Sequence, residues 1–517
     1  MIATTIAALY DRCIAAHGDR PALVMGEQSL SYRELGALAD RIARGLQERG
    51  VGHGARVALL MANCPEYVAC EYALARIGAV RVPLAALLAT DDHVYMMNRA
   101  GCRALLYHEK FTERVAAMAD SLEATPLYVR VGRPDGLPHG HESLAGIMTH
   151  GRPVSDPVTV DPEDLCGIYF TGGTTGRPKG VMLSHRAWAF TCLMELLELG
   201  IDWHERFLVV TPLTHAVGCL LLPVLLRGGT CIIQDGFDAK RLLETVAREG
   251  ITTTFLVPTM IHAILDLDRR DEFDRTSLRN VIYGAAPSGI ERLRQALIFF
   301  GPVLTQLYGQ TEAPMMISVL TQRDHHSSDP KREERGLRSA GRPTLLTELR
   351  LVDDEGHDVG TGQSGEIVVR CPNLMSGYWQ DDAATRATVR DGWLHTGDVG
   401  MLDEEGFLAI VDRCKDMIIS GGFNVYPREV EDALLRHPAV KAAAVVGVAD
   451  DRWGEMVVGV VVRQIQTEIS AEELIAFVKS HKGSLLAPKR VVFWDSIPVT
   501  NLGKVDKKAI RVRLTAS

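Results

Sequence analysis

The sequence predicts an α/β protein: a large N-terminal domain of packed α/β sheets with a small β-rich subdomain, then a small α+β C-terminal domain. Three observations carry that prediction. Strand-like apolar runs alternate with segments of helical periodicity over roughly the first 310 residues, which is the pattern of sheets covered by helices. From Glu348 the texture changes to short strands separated by turns rich in Asp and Gly (VDDEGHDVGTGQSGEIVVR). After Asp412-Arg413-Cys414-Lys415 it changes again, to an alternation compact enough for a domain of its own. The boundary is drawn at that charged tetrapeptide, giving domains 1–412 and 413–517.

MIATTIAALYDRCIAA at the start of the chain reads as an amphipathic helix, because it lacks a basic leader and Asp11 and Arg12 interrupt its apolar run. Between Leu30 and Gly50, Leu35, Leu38, Ile42 and Leu46 recur at helical spacing and stop at a glycine. Arg56 to Met61 reads as a strand, Glu66 to Ile77 and the segment near Asp92 as helices, Ala104 to Tyr107 as a strand, and the stretch after Phe111 as a helix. Gly132 to Pro157, rich in Gly, Pro and His, reads as a connection to a strand at Gly167 to Phe170. Beyond a polar, glycine-rich loop an apolar, helix-like segment is expected to resume.

A second block follows. Phe207 to Val210, Thr230 to Ile233, Thr253 to Val257, Asn280 to Tyr283 and Val303 to Leu307 read as strands, with helices at Gly218 to Leu226 and Ala239 to Glu249. In the C-terminal domain the strands are Met417 to Ser420, Ala442 to Val448, Met456 to Val462 and Arg490 to Trp494. Its helices are Pro427 to Arg436 and Ala471 to Lys482.

At 517 residues with 46% apolar and 23% charged content, the chain has material for more than one packed core. A net charge of −9 gives no electrostatic reason to invoke nucleic acid, and no window approaches the roughly 18 apolar residues of a membrane span. The ten cysteines form no C-x-x-C pair, and Cys70, Cys166, Cys219 and Cys231 sit in apolar runs. Buried, reduced thiols and a cytoplasmic location are therefore expected.

Chemistry concentrates in four places. YFTGGTTGRPKGVMLSH (Tyr169 to His185) offers glycines, hydroxyls and Lys179 after a strand. Gly172, Gly173 and Gly176 let backbone N–H groups turn into one concavity, to which Thr171, Thr174 and Thr175 add hydroxyls. A phosphate would suit that loop, and a plain glycine-rich surface turn has the same composition. It is not a G-x-x-x-x-G-K-[ST] loop, because Pro178 stands directly before the lysine.

Two turns follow buried strands, GAAPS (Gly284, Ala285, Ala286 and onward) and YGQTE (Tyr308, Gly309, Gln310, Thr311, Glu312), and ligands of open parallel sheets collect at strand ends. YGQTE holds an aromatic face for adenine and a carboxylate for Mg²⁺, although a solvated turn has the same letters. Asp398, in Thr-Gly-Asp, and Arg413 lie fifteen positions apart and could accept from and donate to a ribose.

Together and in this order the motifs resemble the AMP-forming acyl- and aryl-CoA synthetases of the adenylate-forming superfamily. The resemblance runs from about Leu30 to Lys508. Where the family's usual phosphate loop reads T-S-G-T-T-G-x-P-K-G, Gly172 replaces the serine and one hydroxyl donor is lost. The resemblance implies that Glu312 binds magnesium, that Asp398 and Arg413 hold the ribose, and that the C-terminal domain is mobile about a hinge at Lys415. It implies further that Gly421, Gly422 and Trp453 line the pantetheine tunnel, and that Lys504 contacts the carboxylate and α-phosphate during adenylation. His215 would stand at the acyl pocket, beside Ala216, Val217, Trp188, Phe255, Tyr283, Gly284 and Met315. A pocket so apolar favours an uncharged fatty, alicyclic or aryl acid tail.

The implied reaction is an ATP-dependent carboxylate–CoA ligation through an acyl-adenylate, with ATP, Mg²⁺ and coenzyme A required and a homodimer compatible with it. One rival is an adenylate-former that loads a carrier protein. Such enzymes place an aspartate for the α-amine near Thr211 to Gly218, and here there is none, nor does a carrier-like serine motif follow Lys508. A luciferase-like oxygenase shares the motifs. A non-catalytic nucleotide-binding protein would need Lys179, Glu312, Asp398 and Arg413 but has no use for Lys504.

Overall fold

The computed structural model describes residues 5–149, 158–171, 177–327, 329–413, 416–420, 423–450, 453–464, 467–499 and 505–515, with the backbone alone for Arg413, Ile419, Phe423, Asn424 and Leu485. The chain divides into two compact units. One comprises residues 1–287, 292–348 and 370–394, the other 288–291, 349–369 and 395–517.

The larger unit holds two sheets. In the first, eight strands run in the order Gly377–Tyr378, Lys179–Ser184, Leu165–Thr171, Val80–Pro83, Arg56–Leu60, Ala104–His108, Leu127–Val131 and Glu142–Ser143. Nine form the second, with Ala313–Leu320, Leu304–Gln310, Asn280–Gly284, Thr253–Leu256, Arg206–Val209 and Thr230–Ile233 at its centre. Helices Ile6–His17, Pro65–Arg76, His185–Glu198 and Ala216–Leu226 pack against one another and, between them, against both sheets. Ala216–Leu226 is apolar around its whole circumference, as a helix must be when both sides are protein, and it takes up the longest apolar stretch of the chain. Among the described residues no helix is long and apolar enough to cross a membrane.

The expected elements are present, with several differences. The stretch read as a connection, from Gly132, contains a strand, Glu142–Ser143, paired with Leu127–Val131, and a short helix, Leu144–Ile147. The segment after the glycine-rich loop is first a strand, Lys179–Ser184, paired antiparallel with Leu165–Thr171. The helix starts only at His185, because Ser184 caps it by accepting from the Ala187 N–H. YGQTE is not all turn: Tyr308, Gly309 and Gln310 continue the strand Leu304–Gln310, and Thr311-Glu312 alone reverse the chain into Ala313–Leu320. Thr396-Gly397-Asp398 likewise lies within a strand, Trp393–Leu402. A further helix, Lys507–Thr515, follows the last expected strand.

In the smaller unit, the sheet of Phe423–Val425, Ile418–Ser420, Gly454–Arg463, Val440–Asp450 and Arg490–Phe493 is apolar on both faces. Successive residues of a strand point to opposite faces. Val445, Val457 and Val461 therefore pack with Val430, Leu434, Leu474 and Val478 of two helices, while Ala444, Val446, Val458 and Val460 pack with Ile510 and Leu514 of the third. The last helix is thus needed to cover the second face. The short-stranded region from Glu348 forms a second five-stranded sheet with Trp393–Leu402 at its centre, and most of it is counted with the C-terminal segment rather than with residues 1–348.

Candidate active site

Parallel pairing sets Tyr283 beside Gln306 and Gly284 beside Leu307, so both strands run to the same end of the sheet, Asn280–Gly284 stopping there and Leu304–Gln310 continuing to Gln310. The backbone is tight there. A Cβ on Gly309 would fall 2.6 Å from the Met315 backbone, and one on Gly284 2.5 Å from the Leu307 carbonyl oxygen, so both positions require glycine. Ala285 (φ 67°) and Met315 (φ 64°) hold left-handed conformations, each at a cost on the order of 1–3 kcal/mol that surrounding structure must offset. Ala285 and Ala286 are exposed, Tyr308 to Glu312 half-buried. The side-chain amide nitrogen of Gln310 is buried and has no hydrogen-bond partner among the described residues.

The glycine-rich loop belongs to the other sheet. Its ends are Thr171 and Lys179, which are directly paired, and Thr171 Oγ1 donates to the Lys179 carbonyl at 3.4 Å. Gly172, Gly173, Thr174, Thr175 and Gly176 lie outside the described residues. Loop and YGQTE hairpin are joined by residues 373–379, a segment that sequence reasoning passed over. Asn373 donates to the Pro314 carbonyl (2.9 Å), and the Met375 N–H to the Glu312 carbonyl (2.9 Å). The Ser376 and Trp379 N–H groups donate to Met182 (2.8 Å) and Gly180 (2.7 Å). Tyr378 completes the join: its hydroxyl donates to Glu312 Oε1 at 2.8 Å, and the Lys179 ammonium stands over its ring at 4.9 Å. The one sequence signal was the pair Tyr378-Trp379 after Gly377, whose φ of 134° excludes other residues.

Trp188 is buried, stacked on Tyr169 at 5.2 Å and under the Arg81 guanidinium at 4.3 Å. Arg81 is itself buried and paired with Glu71 at 2.8 Å. Val217, Phe255, Tyr283 and Met315 are buried, whereas Ala216 is half-buried and His215 exposed at the head of helix Ala216–Leu226, in contact with Thr214 Oγ1 at 2.8 Å. His215 is therefore not a core histidine. Tyr283 is fixed from outside its strand. His325, kept neutral because burial lowers its pKa to about 4, donates from Nδ1 to the Thr321 carbonyl and accepts the Tyr283 hydroxyl at Nε2 (2.8 Å).

In the smaller unit Asp398 and Arg413 are directly opposite in the antiparallel pair Trp393–Leu402 and Leu408–Arg413. The Gly397 N–H donates to Glu366 (3.1 Å) and the Asp398 N–H to Thr396 Oγ1 (3.1 Å), while His395 holds the other Glu366 oxygen at 2.7 Å. Glu366 and His395 carried no motif and were missed. The Trp453 N–H donates to Asp450 (3.0 Å), and Lys489 stands 5.1 Å over its ring. Lys415, Gly421, Gly422 and Lys504 lie outside the described residues. The flanks of two of these positions are anchored: Asp416 pairs with Arg511 (3.6 Å), and Glu431 with Lys507 (3.3 Å).

Residues 373–379 thus link the strand Lys179–Ser184 of one sheet to the Glu312 hairpin of the other. The chain belongs to the AMP-binding enzyme family, whose model matches residues 10–379, with the C-terminal domain of AMP-binding enzymes matching residues 429–504. It is 40% identical over 512 residues to the medium/long-chain-fatty-acid–CoA ligase FadD8 of Mycobacterium tuberculosis, covering 96% of this chain and 88% of that one. To the feruloyl-CoA synthase of an Amycolatopsis species it is 39% identical over 490 residues, 94% of each chain. Among solved structures, the amide bond synthetase McbA of Marinactinospora thermotolerans superposes with a TM-score of 0.90 at 34% identity, over 98% of this chain and 99% of that one.

Proposed function

We propose that this chain is an AMP-forming acyl-CoA synthetase for an apolar carboxylic acid, with the roles of its residues as follows. The observation that carries the reading is the Lys179–Tyr378–Glu312 contact, because it gathers a cation and a carboxylate from segments some 130 positions apart at the mouth of a phosphate-type loop. A carboxylate must approach a polyanionic nucleotide, and two unit charges 4 Å apart repel by about 1 kcal/mol in water and roughly 4 at an effective dielectric near 20. Lys179 and Lys504 offset that repulsion, the loop hydroxyls of Thr171, Thr174 and Thr175 take phosphate oxygens, and Gly284 to Ala286 with Tyr308 to Thr311 seat the adenine. Asp398 and Arg413 hold the ribose, their opposed register supporting a shared ligand.

Glu312 fits a magnesium site, since Mg²⁺ favours one or two carboxylates plus substrate oxygens; when bound it would neutralise phosphate charge. The buried, unpartnered Gln310 amide nitrogen supports a further acceptor arriving with the nucleotide. The acid attacks the α-phosphate, pyrophosphate leaves, and the coenzyme A thiol then displaces AMP from the mixed anhydride. Lys504 and the Gly421-Gly422-Trp453 tunnel serve different steps, which requires residues 413–517 to turn about Lys415 between them. His215 and the apolar side chains near it take the acyl tail. The named acids of the two relatives are a medium or long fatty acid and ferulic acid, both with apolar bodies. All nine described cysteines are free and eight are buried, which supports a reducing compartment, the cytoplasm.

The test is a pyrophosphate-release screen of carboxylic acids with and without coenzyme A, with products followed by mass. Acid-dependent pyrophosphate release and a thioester are expected. Nucleotide binding without acid-dependent release would make the chain a binder, and an adenylate resolved by amines but not thiols would assign it the chemistry named for its structural neighbour. Lys504→Ala should lower adenylation by about 10²–10³-fold, as loss of one transition-state donor does, yet spare thioester formation from supplied acyl-adenylate.

A further inference from the structure

We propose that Tyr378 is a positioning residue of the adenylation site, orienting the Glu312 carboxylate for magnesium and keeping Lys179 apart from it; this rests on the reading of Glu312 as the metal-binding carboxylate. Tyr378 is not carried by any of the motifs that identify the site. It lies on the two-residue strand Gly377–Tyr378, registered on Val181 two positions beyond Lys179. Its backbone N–H is fixed by Thr385 Oγ1 at 2.9 Å. The side chain is 6% exposed, so its orientation is set by packing.

That orientation meets two opposite charges at different parts of one side chain. The ring face, negative by its quadrupole, receives the Lys179 ammonium at 4.9 Å. The phenolic O–H donates to Glu312 Oε1 at 2.8 Å, a bond strengthened because its acceptor is ionised. An exposed lysine and a carboxylate this near one tyrosine would otherwise pair with each other and neutralise the groups that a metal–nucleotide complex needs. Among the described residues Lys179 and Glu312 form no ion pair. Tyr378 acts as a spacer that contacts each charge without cancelling it, so that both stay available to a metal–nucleotide complex.

A scaffold role alone would be met by phenylalanine, and that is the discriminating variant. Free Mn²⁺ is counted by electron paramagnetic resonance while the full-length protein is titrated in the presence of α,β-methylene-ATP, which cannot be turned over at the α–β bridge. Tyr378→Phe, which keeps the ring, is expected to weaken Mn²⁺ binding by about tenfold, the lower end for loss of a group that orients a metal ligand. It should leave metal-free analogue binding and the melting temperature close to wild type. Tyr378→Leu, which removes the ring as well, should weaken metal-free analogue binding too. Glu312→Gln is the control. If it weakens Mn²⁺ binding while Tyr378→Phe does not, the positioning role is overturned and the Glu312 assignment stands. If Glu312→Gln itself leaves the titration unchanged, the Glu312 assignment fails, and the inference with it. A Tyr378→Phe protein that melts earlier but binds Mn²⁺ normally would reduce Tyr378 to a packing residue.

Discussion

The Lys179–Tyr378–Glu312 cluster and the Asp398–Arg413 pair are assembled in opposite ways. The first joins residues from three distant segments on two sheets, and depends on a connecting stretch, residues 373–379, that makes backbone hydrogen bonds to both. The second follows from a single hairpin, whose register shifts once between Val399 and Gly400 and sets the two residues opposite. A site held by long-range contacts inherits the stability of everything packed behind it. A site held by one hairpin needs little more than its own strands.

The largest test of that contrast is Glu71→Ala. It leaves the buried Arg81 guanidinium unpaired beneath Trp188 and Tyr169, and removing one partner of a buried ion pair costs about 3–5 kcal/mol. Denaturant unfolding followed by tryptophan fluorescence should show that loss. A change under 1 kcal/mol would mean that the stack on Trp188 does not depend on the pair.

A smaller effect is written in pH. His325, behind Tyr283, and His185, at the start of the helix His185–Glu198, have their pKa values lowered to about 4, chiefly by burial. The unfolded chain takes up these protons below about 6.5, the folded chain only near 4, so folding weakens as pH falls through that window. At pH 5 each histidine is expected to cost about 2 kcal/mol relative to pH 7.5. His325→Gln should remove its share of the slope, and an unchanged slope would show that the ring is protonated in place.

Smallest is Asp412→Ala. The Asp412 carboxylate accepts from the Arg428 N–H in the first turn of helix Pro427–Leu435, a capping contact worth about 1 kcal/mol. Amide exchange should rise in that helix and stay unchanged in Leu165–Thr171. Equal loosening of both would dissolve the distinction between the two assemblies.

Local rules explain what was legible. Ser31 and Glu34 form a reciprocal cap before a helix whose Leu35, Ile42 and Leu46 are buried, as their spacing required. The glycine of YGQTE sits where its missing Cβ makes room for the Met315 backbone. What escaped was nonlocal. Tyr378 belongs to no periodic run, and its importance comes only from pairing with Val181 and reaching Glu312. The helix Lys507–Thr515 was missed because Ile510 and Leu514 are too few to mark a helix until a sheet face needs covering.

Most strand and helix identities, the unpaired cysteines and the motifs that name the family follow from residue order alone, since periodicity, capping and turn chemistry act over a few positions. Which side chains meet was decided by the tertiary structure, because strand pairing and burial bring together groups whose separation along the chain carries no signal. Tyr378 between Lys179 and Glu312 exists only at that level.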